Sequence, residues 1–520
     1  MDFLTVLASS FLPSLIFLYY VLKLRKIVPK TKTTFSSTLK PPGAWPILGH
    51  LPLFALQKAP TFRTLAAMAD LHGPVFVVQL GMQSIVVVNS WEFFKECLTI
   101  KDKQLASRPL FAQGKYLGDD FASFGLAPLG SLWREMRKLT MVELLSTTKL
   151  GELGHIRMSE LNDFLKAMHQ SSKSNNKIVL SEWFSLLVMN TIIRLIARKR
   201  YTYDGVENQE AKRVRKVVKE LMYVFGQFVL SDAFPLSFVE WLDPQGHIQM
   251  MKRVSKEIDQ IFGDWIDDHR QRGQQDEKDF VDVLISLADQ GKIKCDQYDA
   301  DTIIKATIKS IFVGANDSTS LTLTWMTSLL LNHRHVMRRV VEEIDQEVGR
   351  DRWVEESDIK SLVYLQAVVK ETLRLYPPGP LSTPHAAAED CCVAGHEMKK
   401  GDQLLFNVWK VHRDPRVWSQ PDEFIPERFL EENKVSFGVT KGPEFWYIPF
   451  GSGRRSCPGS ELAFQVLHLT MARFLQGFAL STPMDEAVDM DEGQGISLLK
   501  KAPLEVNATP RLSSNMYEKL

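Results

Sequence analysis

Residues Phe3 to Leu22, FLTVLASSFLPSLIFLYYVL, carry no charged side chain. About twenty such residues suffice to cross the hydrocarbon core of a bilayer as a helix, so this run predicts that the rest of the chain is fastened to a membrane. Lys23, Arg25, Lys26, Lys30 and Lys32 follow it, whereas only Asp2 precedes it. Positive charge on the C-terminal flank keeps the following chain in the cytosol. A cleaved leader would need its positive charge ahead of the apolar run and a small-residue cleavage site behind it, and YYVLKLRK offers neither. The expectation is a retained transmembrane anchor with its basic flank over residues 1–32 and a single body over residues 33–520. Pro13 and the Ser9-Ser10 pair are tolerable in such a helix.

The chain has 520 residues, of which 45% are hydrophobic and 24% charged, enough for a large core. A net charge of +1 supplies no basic excess for nucleic acid. Cys97, Cys295, Cys391, Cys392 and Cys457 are odd in number and irregularly spaced, so reduced thiols are expected and a disulfide framework is not. PPGAWPILGH, Pro41 to His50, reads as a stiff hinge between anchor and body. VFVVQL and SIVVVN flank Gly81-Met82-Gln83 and predict a β-hairpin, and a second strand-and-turn region lies between Cys392 and Trp409. Helical periodicity dominates elsewhere, interrupted by polar loops at 171–177 and 267–279. The fold class expected is mainly α with a small β-rich part.

The chemistry concentrates in FGSGRRSCPG, Phe450 to Gly459. Gly451 and Gly453 let the backbone turn sharply and approach a flat ligand. Cys457 precedes the helical pattern SELAFQVLHLTMARFL, whose N-terminus favours a thiolate over a thiol. Arg455 is suited to holding an anionic group such as a carboxylate. A thiolate in a glycine-rich loop guarded by Phe450 is what an axial haem ligand requires.

Phe450, Gly453, Arg455, Cys457 and Gly459 match the haem-binding signature of the cytochrome P450 monooxygenases, which this chain resembles. Further matches lie upstream. KETLRLYPP places Glu371 and Arg374 at i and i+3 on one helix face, and FIPERF carries Arg428. The resemblance implies that these three charges form a buried cluster behind the haem. It likewise implies that Trp133 and Arg137, in LWREMRK, contact a haem propionate. His412 and His385 stand outside any glycine-rich cradle and read as structural or pocket residues. Cys391-Cys392 lacks zinc-ligand spacing. Asn507, in NAT, is formally a glycosylation sequon that a cytosolic body would leave unmodified.

VGANDSTS, residues 313 to 320, interrupts a long apolar helical run and is similar to the family's oxygen-activation turn. Gly314 and Ala315 would leave room for dioxygen, with polar neighbours widening the helix locally. Asp317 and the following hydroxyl would deliver protons. Hydroxyls bonded back to their own helix would explain Ser318 and Thr319, but not a costly acid in an apolar run. Two positions depart from the family pattern: Ala315 stands where glycine is common, and Ser318 where threonine is usual. The choice between Ser318 and Thr319 therefore stays open.

The resemblance implies haem b with an axial thiolate from Cys457 and electrons from NADPH through NADPH-cytochrome P450 reductase, with Arg454 and Lys441 helping to dock its acidic face. It also implies dioxygen and a small hydrophobic molecule as substrates, and an endoplasmic reticulum membrane location. By family position, Phe111, Phe121, Phe124, Phe312, Leu381, Ser382, Thr383 and Ile496 are the pocket candidates. FVLSDAFPLSFVEWLDPQGHIQMMKR and DRWVEESDIKSLVYLQAVVKETLRLYPPGPL resemble a plant clade of specialised metabolism that contains nicotine N-demethylases. An alkaloid of the nicotine or tropane type is the leading substrate class, and flavonoid or terpenoid hydroxylation the alternative. A non-redox isomerase or dehydratase, or a haem-binding protein of the same fold, is the alternative of another class. Retention of Asp317 and Ser318 favours the monooxygenase.

Overall fold

The computed structural model describes residues 40–173, 178–201, 209–273, 278–430 and 444–520. The expected anchor, its basic flank and Lys441 lie outside the described residues. The helices that build the site are α1 (Thr61–His72), α2 (Ser131–Glu143), α3 (Gly154–Lys173), α4 (Leu180–Ala197), α5 (Gln209–Phe225), α6 (His247–Arg272), α7 (Ala300–Asn332), α8 (Val363–Leu375) and α9 (Ser460–Gly477).

Helix α7 is the axis of the molecule. Asp299 starts it, accepting from the Thr302 N–H at 2.8 Å, and 33 residues follow without a break. It packs against α4, α6, α8 and α9, which explains why its apolar residues are not confined to one stripe. Helix α4 is the one helix among the described residues apolar and long enough to cross a bilayer. Two thirds of it is buried against α7 and α3, so its composition reflects a core position.

The β-rich part is small. The hairpin expected from sequence forms between β1 (Val75–Leu80) and β2 (Gln83–Val88), with Leu80 opposite Gln83 and Gly81 at φ +60° in the turn. Six further strands follow a two-residue β3 (Ile178–Val179): β4 (His385–Ala386), β5 (Cys391–Val393), β6 (His396–Met398), β7 (Gln403–Phe406), β8 (Phe478–Ser481) and β9 (Glu505–Pro510). The main sheet runs β1-β2-β7-β4, a second runs β3-β9-β8, and β5-β6 is a separate hairpin. Both faces of β1 are covered. Val75 and Val77 enter one cluster with Phe406 and Phe94, while Phe76 and Val78 pack on α1 through Leu65 and Met68.

Candidate active site

The loop from Phe450 to Gly459 is shaped by its glycines and closed by a bond from the Cys457 N–H to the Phe450 carbonyl at 2.8 Å. Gly451 and Gly453 adopt φ of +67° and +70°, where side chains are strained. Only Gly451 lines the chamber over the loop. At Gly453 a β-carbon would lie 2.3 Å from a carboxylate oxygen of Asp102, which accepts the Arg454 N–H at 3.0 Å. Gly453 thus makes room for Asp102 and not, as the sequence suggests, for a flat ligand. Arg454 itself is paired with Asp102 at 3.2 Å.

Cys457 opens onto a chamber of about 440 Å³ between this loop and α7. Its accessible surface faces that interior, so the residue is exposed to the chamber and still deep in the protein. Burial pushes the thiol up, and the Gly459 N–H and the Arg137 charge offset this only in part. Helix α9 begins at Ser460, three residues beyond the cysteine, where the sequence pattern places it. A coordinated metal ion is what removes the proton from such a thiol. Phe450 also lines the chamber, its ring edge-on to Phe464 with centroids 5.0 Å apart.

Three guanidinium groups converge on the same chamber. Arg455 donates to the carbonyls of Ala106 at 2.6 Å, Phe124 at 3.3 Å and Ala127 at 2.7 Å, and lies 4.5 Å over the Trp133 ring. Arg137, on α2, donates to the Ser456 carbonyl at 2.8 Å. Arg108 donates to the carbonyls of Thr383 at 3.0 Å and Pro384 at 2.8 Å. No carboxylate among the described residues pairs with them. Burial and the mutual repulsion of the three cations lower Arg455 strongly, and burial beside Arg108 holds His385 neutral, at a pKa of about 3. Sequence reasoning missed Arg108. Its only local signal is an arginine ahead of Pro109 in a stretch without helical periodicity.

Behind the cysteine loop, Glu371, Arg374 and Arg428 meet. Arg374 forks onto Glu371 at 2.7 and 2.8 Å, with both residues fully buried, and Arg428 approaches the same carboxylate at 3.3 Å. The remaining Arg374 donors reach the carbonyls of His412, Pro421 and Glu423. His412 accepts the Ile448 N–H at 3.0 Å and lies 3.1 Å from the Arg374 carbonyl, tying α8 to the loop before the cysteine.

The opposite wall is α7. Ser310, Ile311, Gly314, Ala315, Ser318, Thr319 and Thr322 face the chamber. A β-carbon at Gly314 would meet nothing within 4 Å, so the glycine leaves open space there. The expected local widening is absent: the helix stays α-helical through this stretch, and Ser318, Ser320 and Thr322 each bond back to the carbonyl four residues earlier, Ser318 to Gly314 at 2.9 Å. Asp317 does not line the chamber. It accepts from Ser497, and burial raises its pKa against the opposing effect of that bond.

Of the pocket candidates, Phe124, Leu381, Ser382 and Thr383 line the chamber, and four do not. Phe312 points away from it, edge-on to Phe262 of α6 with centroids 6.1 Å apart. Phe121 packs over Gly114, where a β-carbon would strike its ring at 2.4 Å. Phe111 lines a separate surface groove with Asp232. Ile496 is 40% exposed.

The chain matches the cytochrome P450 family over residues 39–508. It belongs to that family. The P450 is 45% identical to a xanthotoxin 5-hydroxylase from Arabidopsis thaliana, with 99% of each chain covered. It is 42% identical to a nicotine N-demethylase from Nicotiana tomentosiformis, covering 96% of this chain and 97% of that one. A zebrafish cytochrome P450 solved with progesterone superposes with a TM-score of 0.73 at 25% identity, covering 87% of this chain and all of the other. The P450 is a monooxygenase of plant specialised metabolites. Its cofactor is haem with a thiolate ligand, reduced by NADPH through a reductase. The chamber fits that group: it offers one thiol and, beside it, buried cations without acidic partners, which suits a ligand carrying carboxylates.

Proposed function

We propose that the protein is anchored in the endoplasmic reticulum membrane through residues 1–32 and hydroxylates a neutral, largely apolar specialised metabolite. The lining of the chamber carries this reading. Phe124, Val188, Ile192, Ile311 and Leu381 supply apolar wall, Thr191, Ser310, Ser382 and Thr383 supply hydroxyls, and no carboxylate among the described residues faces the interior. Among the described residues, no acidic side chain on the lining offers a protonated amine a counter-charge. An alkaloid of the nicotine or tropane type enters such a chamber as the free base, a second reading favoured by the likeness to the nicotine N-demethylase.

Cys457 would hold the haem iron, and Arg108, Arg137 and Arg455 its carboxylates, with Trp133 stacked under Arg455. Bound haem supplies the activation of dioxygen. The remaining work falls to α7. Gly314 keeps the space above the cysteine open, and Ser318, having given its own proton to the Gly314 carbonyl, presents oxygen lone pairs to the chamber. Asp317 holds a proton to higher pH than an ordinary aspartate and delivers it once its side chain leaves Ser497.

The test is turnover of the microsomal protein with NADPH and reductase on uncharged xanthotoxin and on nicotine at pH values either side of the amine's pKa. Oxidation of the uncharged probe, with nicotine oxidised only as its free base, is expected. Turnover of the protonated amine alone would overturn the neutral-substrate reading, and product formation without NADPH would overturn the monooxygenation.

A further inference from the structure

Helix α7 carries two lysines that the haem chemistry does not use, Lys305 and Lys309, and the second is buried. Lys309 is 2% exposed, and its ammonium lies 2.7 Å from a carboxylate oxygen of Asp119, 2.7 Å from one of Asp259 and 3.5 Å from the Ser255 hydroxyl. Asp259 and Ser255 belong to α6, whereas Asp119 belongs to the segment that leads from Tyr116 to α2. One buried cation therefore ties three separate parts of the chain together.

The segment held by Asp119 is strained. Asp119, Asp120 and Phe121 adopt φ of +52°, +51° and +70°, three consecutive side-chain-bearing residues in the left-handed region. Such a run persists only where its surroundings over-determine it. The surroundings are explicit. Lys309 grips Asp119, the Tyr298 hydroxyl donates to the Asp120 carbonyl, and the Phe121 N–H donates to the Gly114 carbonyl at 2.9 Å. Directly beyond, the hydroxyls of Ser123 and Ser310 meet at 2.6 Å, and Phe124 and Gly125 then form chamber wall. The second oxygen of Asp119 is buried without a hydrogen-bond partner, so among the described residues Lys309 is the one hydrogen-bond donor to this carboxylate, while the charge of Lys305 also acts on it.

We propose that Lys309 and Asp119 form a latch that positions the chamber wall at Phe124 and Gly125 and thereby sets which ligand shapes reach the haem face. Asp259 anchors the lysine to α6 without touching the wall. Lys309 is a positioning residue: it acts through Asp119 and faces away from the chamber, which it does not line.

The two arms of the clamp make the proposal testable without a known substrate. Imidazole and 4-phenylimidazole bind haem iron and differ in bulk, and their association rates with the oxidised holoenzyme are measured by stopped-flow absorbance. In Asp119→Asn the rate for 4-phenylimidazole rises at least about threefold while that for imidazole stays unchanged, because a loosened wall opens more often for the bulky probe. Asp259→Asn, which cuts only the α6 arm, leaves the ratio of the two rates as in the parent, and Lys309→Arg retains it. An unchanged ratio in haem-loaded Asp119→Asn overturns the latch, and an equal change in Asp259→Asn reduces it to general loosening of the core and overturns it as well. Should Asp119→Asn fail to load haem, Tyr298→Phe carries the same test through the next tether: a smaller rise for the bulky probe is expected, and no rise overturns the proposal.

Discussion

Two groups of buried cations lie on either side of the cysteine loop, and they differ in what they face. Arg374 and Arg428 share the Glu371 carboxylate, and the Arg374 donors are spent on it and on backbone carbonyls. Among the described residues, Arg108, Arg137 and Arg455 face only carbonyls, hydroxyl and aromatic surface. The first group is complete as protein and acts as scaffold. The second concentrates positive charge that the protein leaves unbalanced, which is how a fold stores affinity for an anionic ligand.

The contrast breaks most visibly at Glu371. Glu371→Gln leaves two buried guanidinium groups without a counter-charge, and a loss of roughly 3–5 kcal/mol is expected in urea unfolding, with little haem-loaded protein recovered. Arg137→Leu should do the reverse. Stability of the haem-free protein changes by no more than about 1 kcal/mol, while haem passes to an acceptor globin about tenfold faster. On the α7 wall, Ser318→Ala should raise NADPH consumed per product about tenfold and Thr319→Ala roughly twofold. A reversed order would give the role to Thr319, whose hydroxyl has no back-bond like that of Ser318.

The smallest effect concerns an uncompensated anion. Burial raises Asp232 to about 6, with Glu240 adding to the rise and the Ala112 N–H opposing it. An acid raised on folding stabilises fully below its unfolded pKa, near 4, and the contribution is lost as pH rises through 6. Asp232→Asn should therefore raise the melting temperature at pH 7.5 by a few degrees and leave it unchanged at pH 4, as read by differential scanning fluorimetry.

Much of this was legible in the sequence where signals are local. The hairpin rests on runs of β-branched residues on either side of Gly81-Met82, the cysteine loop on its glycines, and the Glu371 cluster on an i, i+3 spacing. What was missed depends on partners distant in sequence. Gly453 is glycine because of Asp102, a contact across about 350 residues that no local pattern announces. Arg108 has a role only because folding brings it beside Arg137 and Arg455. The misplaced Phe312 was within reach. With Gly314 and Ser318 facing the chamber, a helix that turns 100° per residue puts Ile311 in the same row and Phe312 toward α6. Asp317, an acid the family resemblance assigns to proton delivery, instead accepts from Ser497, a partner 180 residues away that no local pattern announces.

The parallel pairing of β2 with β7 has a consequence for how the chain is made. Val88 is paired with Phe406, so the β1-β2 hairpin waits for a partner translated about 300 residues later, on the order of half a minute at ordinary ribosome speed. Through that interval β2 exposes an open edge rich in valine, the kind of template on which nascent chains pair with one another. Yield of this protein in a heterologous host should accordingly respond to elongation rate and to chaperones acting on the first hundred residues more than to changes near the cysteine loop.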